Sequence, residues 1–207
     1  HENSSAASDV YKRQGLEAYD NTVLRFHANK GFSIRQWHRA VELLRENSLR
    51  VKTYLLFKPP FMSEGDALEH TSRWVREVSK ISDEVSINPM NIQKGTIVDR
   101  LFRNREYRPP WLWSLVEMIF RTHADISNTD CRVIVHPTAG GKTRGSHNCG
   151  SCDSEVVAAI ERYSVSGDLR EFTGLECDCK KAWHSEIQSD ATPVSYTHLR
   201  AHETWSY

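Results

Sequence analysis

The 207-residue sequence has no excess charge of either sign, because 27 lysine and arginine residues balance 27 aspartate and glutamate residues. This balance excludes a strongly basic protein that binds nucleic acid through its overall charge, although it allows a local basic patch. The sequence also lacks any apolar run of the roughly 18 residues that a transmembrane helix requires, and it shows no charged-then-apolar leader. We therefore expect a cytoplasmic protein with no membrane contact.

Cysteine is scarce and confined to the C-terminal part of the chain. The five cysteines are Cys131, Cys149, Cys152, Cys177 and Cys179. An odd number, with one Cys-x-x-Cys and one Cys-x-Cys pair, favours a metal site in a reducing compartment over a disulfide framework.

Four of these thiols form the strongest chemical motif, which we call the four-cysteine group: Cys149, Cys152, Cys177 and Cys179. The Cys-x-x-Cys spacing lets one tight turn direct two thiolates at one ion. The Cys-x-Cys pair needs a turn, because on a strand its side chains would face opposite ways. We predict zinc rather than an iron–sulfur cluster. His147 and His184 are substitute ligands, and unlinked buried thiols are the alternative.

The order of apolar patterns predicts an α/β fold with parallel strands. Strands are predicted to end at Glu17 and to span 51–57, 84–88 and 132–135. Helices are predicted over 21–28, from a cap at Ser33, and over 66–81, 96–102, 113–123 and 154–163.

The chain is predicted to divide into four parts. Residues 1–14 and 192–207 have no apolar period, and we expect non-native or disordered tails there. Residues 15–135 carry the strands and helices of the α/β layer. Residues 136–191 are rich in Gly, Cys and polar residues, and we expect a small metal-binding appendix rather than another strand–helix unit.

The stretch Gly140-Gly-Lys-Thr resembles the end of a phosphate-binding loop. That motif needs a glycine where this chain has His136, which argues against a nucleotide triphosphatase. Lys142 and Arg144 still make this loop suited to contacting a phosphate backbone. A solvated loop with no ligand is the alternative.

A second basic stretch interleaves Arg103, Arg105 and Arg108 with aromatic residues. Cations that hold phosphates beside rings that stack on bases are typical of single-stranded RNA recognition. The alternative is a set of solvated arginines followed by tryptophans of the core, and we favour it for Trp111 and Trp113.

Lys58 and Asn88 each lie at the carboxyl end of a predicted parallel strand. Polar groups there project into the crevice where barrels and open α/β sheets place their chemistry. We predict a role in catalysis for both, although a lysine in this position can equally be a surface residue.

Six stretches together carry a resemblance to a known family: Gly15–Glu17, Asn29–Phe32, Val51–Phe61, Ser86–Thr96, Glu106–Trp113 and Gly140–Cys149. They resemble the radical SAM subunit of archaeosine synthase, which is distantly similar to elongator-type and methylthiotransferase radical SAM proteins. The resemblance implies the C-terminal part of a partial (β/α) barrel. It also implies S-adenosylmethionine, a [4Fe–4S] cluster, and cleavage of a carbon–nitrogen bond in a lysine-bearing 7-deazaguanine of tRNA.

The resemblance assigns roles to particular residues. Glu17 falls where such barrels contact S-adenosylmethionine, and Lys58 and Asn88 fall where strands face the reaction chamber. The four-cysteine group matches the family's C-terminal cysteine pairs. tRNA and a lysine-transferring subunit are the implied partners.

One departure from the family pattern is decisive. The family's Cys-x-x-x-Cys-x-x-Cys cluster motif is absent from this sequence. We therefore expect this chain to be inactive on its own, with a longer parent as the enzyme. Two alternatives stay open: another radical SAM modification of tRNA, such as thiomethylation or acetyl transfer, and a non-catalytic, zinc-containing RNA-binding module.

Overall fold

The computed structural model describes residues 11–189, in which strands and helices alternate along the chain. The strands are β1 (Tyr11–Glu17), β2 (Arg50–Phe57), β3 (Glu84–Pro89) and β4 (Arg132–Val135). The helices are α1 (Asn21–Phe26), α2 (Ile34–Glu46), α3 (Glu64–Val78), α4 (Ile97–Arg103), α5 (Leu112–Ile126), α6 (Asp153–Ser166) and α7 (Cys179–Ser189), with a short 3₁₀ helix at Leu169–Phe172.

The four strands form one parallel sheet in the order β1-β2-β3-β4. This topology confirms the predicted α/β class, and its parallel pairing requires the helical crossovers that the apolar patterns indicate. All carboxyl ends of the strands therefore meet at one edge of the sheet, which is the edge predicted to carry the chemistry.

Strand β2 is covered more completely on one face than on the other. Along β2 every second residue, from Val51 to Phe57, is buried, while the residues between them are half-buried. An almost continuous apolar run such as 51–57 is typical of a strand buried on both faces. Helices α2 and α3 pack against β2, and β3 is the strand buried at nearly every residue.

Two serines cap the helices α2 and α3. Ser33 caps α2, accepting from the Gln36 backbone N–H while Gln36 accepts from the Ser33 backbone. This capping box confirms the predicted cap. Ser63 caps α3 in the same position, with the Asp66 N–H donating to its hydroxyl at 3.1 Å.

The predicted division of the chain differs from the observed packing at two boundaries. Strand β1 begins at Tyr11, so residues 11–14, predicted to be tail, pair with β2. Helix α6, predicted to belong to an appendix, packs against β4 and α5. Its residues Val156 and Ile160 are fully buried in the same core as the sheet, because β4 needs a covering helix as the other strands do.

The predicted tail over 192–207 and the first ten residues of the predicted tail over 1–14 lie outside the described residues. Across residues 11–189, no helix combines the length and the apolarity that crossing a bilayer requires.

Leucine substitutions on opposite sides of the core boundary test this packing. Leu55 on β2 is fully buried, whereas Leu43 on α2 is 60% exposed. We expect Leu55→Ala to lower the free energy of unfolding by about 2–5 kcal/mol, because it leaves a cavity. Leu43→Ala should change it by less than about 0.5 kcal/mol. Urea denaturation followed by circular dichroism measures both, and equal losses would contradict the core described here.

Candidate metal centre and adjoining cavity

The four-cysteine group converges on one point. Cys149 Sγ lies 4.0 Å from Cys152 Sγ and 3.7 Å from Cys177 Sγ, and Cys152 Sγ lies 3.7 Å from Cys179 Sγ. All four sulfurs lie within 4.8 Å of one another. Thiolates bound tetrahedrally to one ion at about 2.3 Å are about 3.8 Å apart. The spacing therefore fits a single metal ion.

Short turns present the two cysteine pairs. Cys152 is the N-cap residue of α6, and Gly150 before it adopts a left-handed φ of 94°. The Cys177 carbonyl accepts from the Lys180 N–H at 3.0 Å, which forms the turn that the Cys-x-Cys spacing predicted. Cys179 then begins α7, a helix that the sequence pattern missed because Trp183 is its only buried residue.

A layer of hydrogen bonds around the sulfurs fixes their directions. Asn148 Nδ2 donates to Cys152 Sγ at 3.3 Å, and Trp113 Nε1 donates to Cys179 Sγ at 3.2 Å. Buried Asp153 accepts from the backbone N–H groups of Asn148 and Gly150. Outer contacts of this kind orient ligands and hold a site ready for an ion.

The thiols differ in their tendency to ionise. Backbone N–H groups of Ser151 and Cys152 lower the pKa of Cys149 to about 6. Burial raises the pKa of Cys152 to about 12 and also raises the pKa of Cys179. A cation among the sulfurs would favour the thiolate at every position, so binding releases protons.

The two histidines considered as substitute ligands lie outside the group. Together the four sulfurs already supply a complete tetrahedral set. His147 Nδ1 instead contacts the Gly145 carbonyl oxygen at 2.8 Å, and the His184 ring packs against Trp183.

A cavity of about 410 Å³ opens beside the metal centre, at the carboxyl end of β2. Its walls include Lys58, Glu64, Arg105, Arg108, Thr143 and His147. Its location agrees with the expectation that chemistry gathers at this edge of the sheet.

A buried ion pair forms one wall of the cavity. Lys58 Nζ donates to Glu64 Oε2 at 2.7 Å, and both side chains are almost fully buried. The other carboxylate oxygen of Glu64 accepts from the Trp111 N–H at 2.9 Å. Tyr107 OH donates to the Lys58 carbonyl oxygen at 2.7 Å.

Sequence reasoning missed Glu64 altogether. It lies at the first position of α3, where an acidic residue is common for the helix dipole alone, and no local signal marks it as the partner of Lys58. The two residues meet because Pro59-Pro60 turns the chain between β2 and α3.

The other predicted residues of the strand ends occupy separate positions. Asn88 lies on β3, paired with Leu56 of β2, and does not line the cavity. Glu17 ends β1 at an irregularity in its pairing, with a left-handed φ of 68°, and forms an ion pair with Lys30 at 3.1 Å.

Two of the residues predicted to bind RNA are engaged within the protein. Arg144 donates to Asp99 Oδ1 at 2.6 Å, and Arg108 donates to the His147 carbonyl oxygen at 2.8 Å. These contacts join the loop over residues 140–147 to α4 and to the segment before α5. The guanidinium groups of Arg144 and Arg108 are therefore less available to phosphates than the sequence suggested.

The other three basic residues predicted to bind RNA are exposed. Arg103 forms an ion pair with Asp99 at 3.2 Å and keeps most of its side chain in solvent. Arg105 and Lys142 are exposed as well, and Arg105 lines the cavity.

The tryptophans of the basic stretch belong to the interior. Trp111 and Trp113 are both buried in the main core, as the favoured interpretation predicted. Arg108 packs over the Trp111 ring at 3.8 Å, so this cation–π contact is internal.

The chain is similar to known proteins over most of its length. No family model matches the chain. Archaeosine synthase subunit beta of Methanosarcina acetivorans is 33% identical over 203 residues, covering 93% of this chain and 58% of that protein. The protein of the same name from Thermococcus kodakarensis is 35% identical over 176 residues, covering 84% of this chain and 54% of that protein. This chain is a homologue of archaeosine synthase subunit beta.

The homology confirms the resemblance predicted from the sequence motifs, although the chain spans little more than half the length of these two relatives. A solved structure of archaeal Methanocaldococcus infernus Elp3, with its N-terminus deleted, matches with a TM-score of 0.58 at 20% identity. That match covers 81% of this chain and 37% of Elp3, and it shows a shared α/β fold.

Loss of the buried carboxylate tests the wall of the cavity. We expect Glu64→Ala to lower the free energy of unfolding by about 3–5 kcal/mol, because the buried Lys58 ammonium loses its partner. Glu117→Ala is the matched control. Glu117 forms an ion pair with Arg121 at 2.7 Å on the surface of α5, and its loss should cost less than about 1 kcal/mol. Urea denaturation of the two variants would contradict the assignment if the losses were equal.

Proposed function

We propose that this chain is the C-terminal part of a tRNA-modifying radical SAM enzyme that makes archaeosine. The observation that carries the proposal is the similarity to two proteins named archaeosine synthase subunit beta, over 93% and 84% of the chain. In this proposal the parent enzyme cleaves a carbon–nitrogen bond of a lysine-bearing 7-deazaguanine in tRNA. A lysine-transferring subunit supplies that substrate, and the reaction takes place in the cytoplasm.

Within this proposal, the chain supplies substrate contacts rather than the radical-generating centre. Lys58, held by Glu64 at the cavity wall, is proposed to contact substrate, and Asn88 contributes from the neighbouring strand end. Glu17 is proposed to contact S-adenosylmethionine. Exposed Arg105 and Lys142, with Arg103, are proposed to contact tRNA phosphates.

The four-cysteine group does not fit the [4Fe–4S] cluster that the resemblance implies. A cluster places a separate iron behind each cysteine, whereas these four sulfurs surround a single point within 4.8 Å of one another. The chain lacks the three-cysteine motif elsewhere. We therefore propose that this chain alone does not cleave S-adenosylmethionine.

A single zinc ion is the proposed occupant of the four-cysteine group. Four thiolates in a closed tetrahedron, with no open position, are typical of structural zinc. The ion would join the turn before α6 to the start of α7, and through Trp113 it would support α5. A single iron bound by four thiolates has the same ligand set, so elemental analysis is needed.

Metal content tests this assignment. We expect one zinc ion and no iron per molecule of the purified protein, measured by inductively coupled plasma mass spectrometry. The Cys149→Ser/Cys177→Ser double variant should lose the ion, because two ligands cannot hold it. Cys131→Ala is the control, since Cys131 is a buried thiol outside the group. Zinc retained in the double variant, or iron in the wild type, would contradict the proposal.

A non-catalytic zinc-containing RNA-binding module is the second candidate. The observation in its favour is that the metal centre is built wholly from this chain, while the cluster motif is absent from it. Such a module would bind tRNA without supporting its modification.

A chimaera separates the two candidates. Residues 11–189 replace the matching segment of the Methanosarcina acetivorans protein, and archaeosine in tRNA is measured by mass spectrometry in cells that lack the native protein. We expect archaeosine to be restored by the chimaera and by its Leu43→Ala variant, but not by its Lys58→Ala variant. A chimaera that accumulates to the native level without restoring archaeosine would contradict the enzymatic proposal.

A further inference from the structure

The loop between β2 and α3 holds one aromatic ring out in solvent. Phe61 is 50% exposed, although the residues from Phe57 to Pro60 and the following Met62 are all buried. Phe61 is thus the one exposed residue between Phe57 and Met62.

That backbone is rigid and strained. Phe61 adopts a left-handed φ of 64°, and Lys58 adopts one of 56°. The intervening Pro59-Pro60 has fixed φ angles. For a bulky residue this conformation is an outlier, and such outliers concentrate at ligand contacts.

The residue that follows α1, His27, contacts this loop. The His27 Nδ1 atom lies 2.8 Å from the Pro60 carbonyl oxygen, and the His27 ring meets Phe61 edge-on at 6.2 Å. Phe26, the preceding residue, is 54% exposed, and the Arg25 guanidinium lies over its ring at 5.1 Å. The end of α1 thus contacts the Phe61 loop through His27, and the exposed Phe26 ring precedes His27 in the chain.

Phe61 lies in the chain between residues of the cavity wall, although its own ring is not part of that wall. Lys58 and Met62, on either side of Phe61 in the loop, both line that cavity. With a volume of about 410 Å³, the cavity is large enough for one nucleoside. A ring fixed beside such a cavity can stack on a base next to the one that enters it.

We propose that Phe61, contacted edge-on by His27, is a stacking platform for an unpaired base of tRNA. The proposal rests on the proposed function for the identity of the RNA, and it adds a site that the basic motifs of the sequence did not mark. Unpaired bases stack on exposed aromatic rings.

Binding of an unmodified tRNA transcript to the 207-residue chain, measured by fluorescence anisotropy, tests the platform. We expect Phe61→Ala to weaken binding about 10-fold, because one stacked base loses its ring. The slope of affinity against salt should not change, since no charge is removed. Phe120→Ala, a phenylalanine on α5 with 47% exposure, is the matched control and should bind like the wild type.

Two further variants separate stacking from folding and from general apolar contact. Phe61→Gly relieves the left-handed backbone, so we expect unchanged or higher thermal stability together with weakened binding. Phe61→Trp should restore affinity, while Phe61→Leu should not. Full affinity in Phe61→Leu would indicate an apolar contact and would overturn the platform.

Binding of tRNA by the wild type and by Phe61→Ala separates the platform from the proposed function. tRNA bound equally by the wild type and Phe61→Ala would overturn the platform alone. A wild-type chain that binds no tRNA would overturn both the RNA-contacting role proposed for this chain and the platform with it.

Discussion

The buried carboxylate of Glu64 is the constraint on which the carboxyl edge of the sheet depends. One oxygen holds the Lys58 ammonium and the other holds the Trp111 backbone N–H. Removing either charge would leave the other without compensation in the interior. The pair therefore joins the end of β2, the start of α3 and the start of α5, and it determines where the cavity opens.

The four-cysteine group closes the other side of the same region. Its sulfurs connect the turn before α6 with the start of α7, and Trp113 of α5 donates to Cys179 Sγ. The strip from His147 to Cys149 borders both the cavity and the metal centre, because Arg108 holds the His147 carbonyl oxygen. An ion in the group would thus support a cavity wall as well as α6 and α7.

Sequence patterns predicted the regular elements well where apolar residues recur on one face. The four strands, the Ser33 cap and helix α5 follow from such periods. Helix α7 was missed because only Trp183 is buried on it. The basic motifs were harder to interpret, since composition cannot separate Arg144, which holds Asp99, from an exposed side chain such as Arg105.

The sequence by itself determined the parallel α/β class, the motifs that resemble archaeosine synthase subunit beta, and the two cysteine pairs expected to share one ion, because spacing along the chain encodes each of these. Only the tertiary structure decided that Glu64 holds Lys58 and that the Phe61 ring stays exposed. Both depend on the path of a proline turn and on contacts between distant segments. Local propensity carries no information about such contacts.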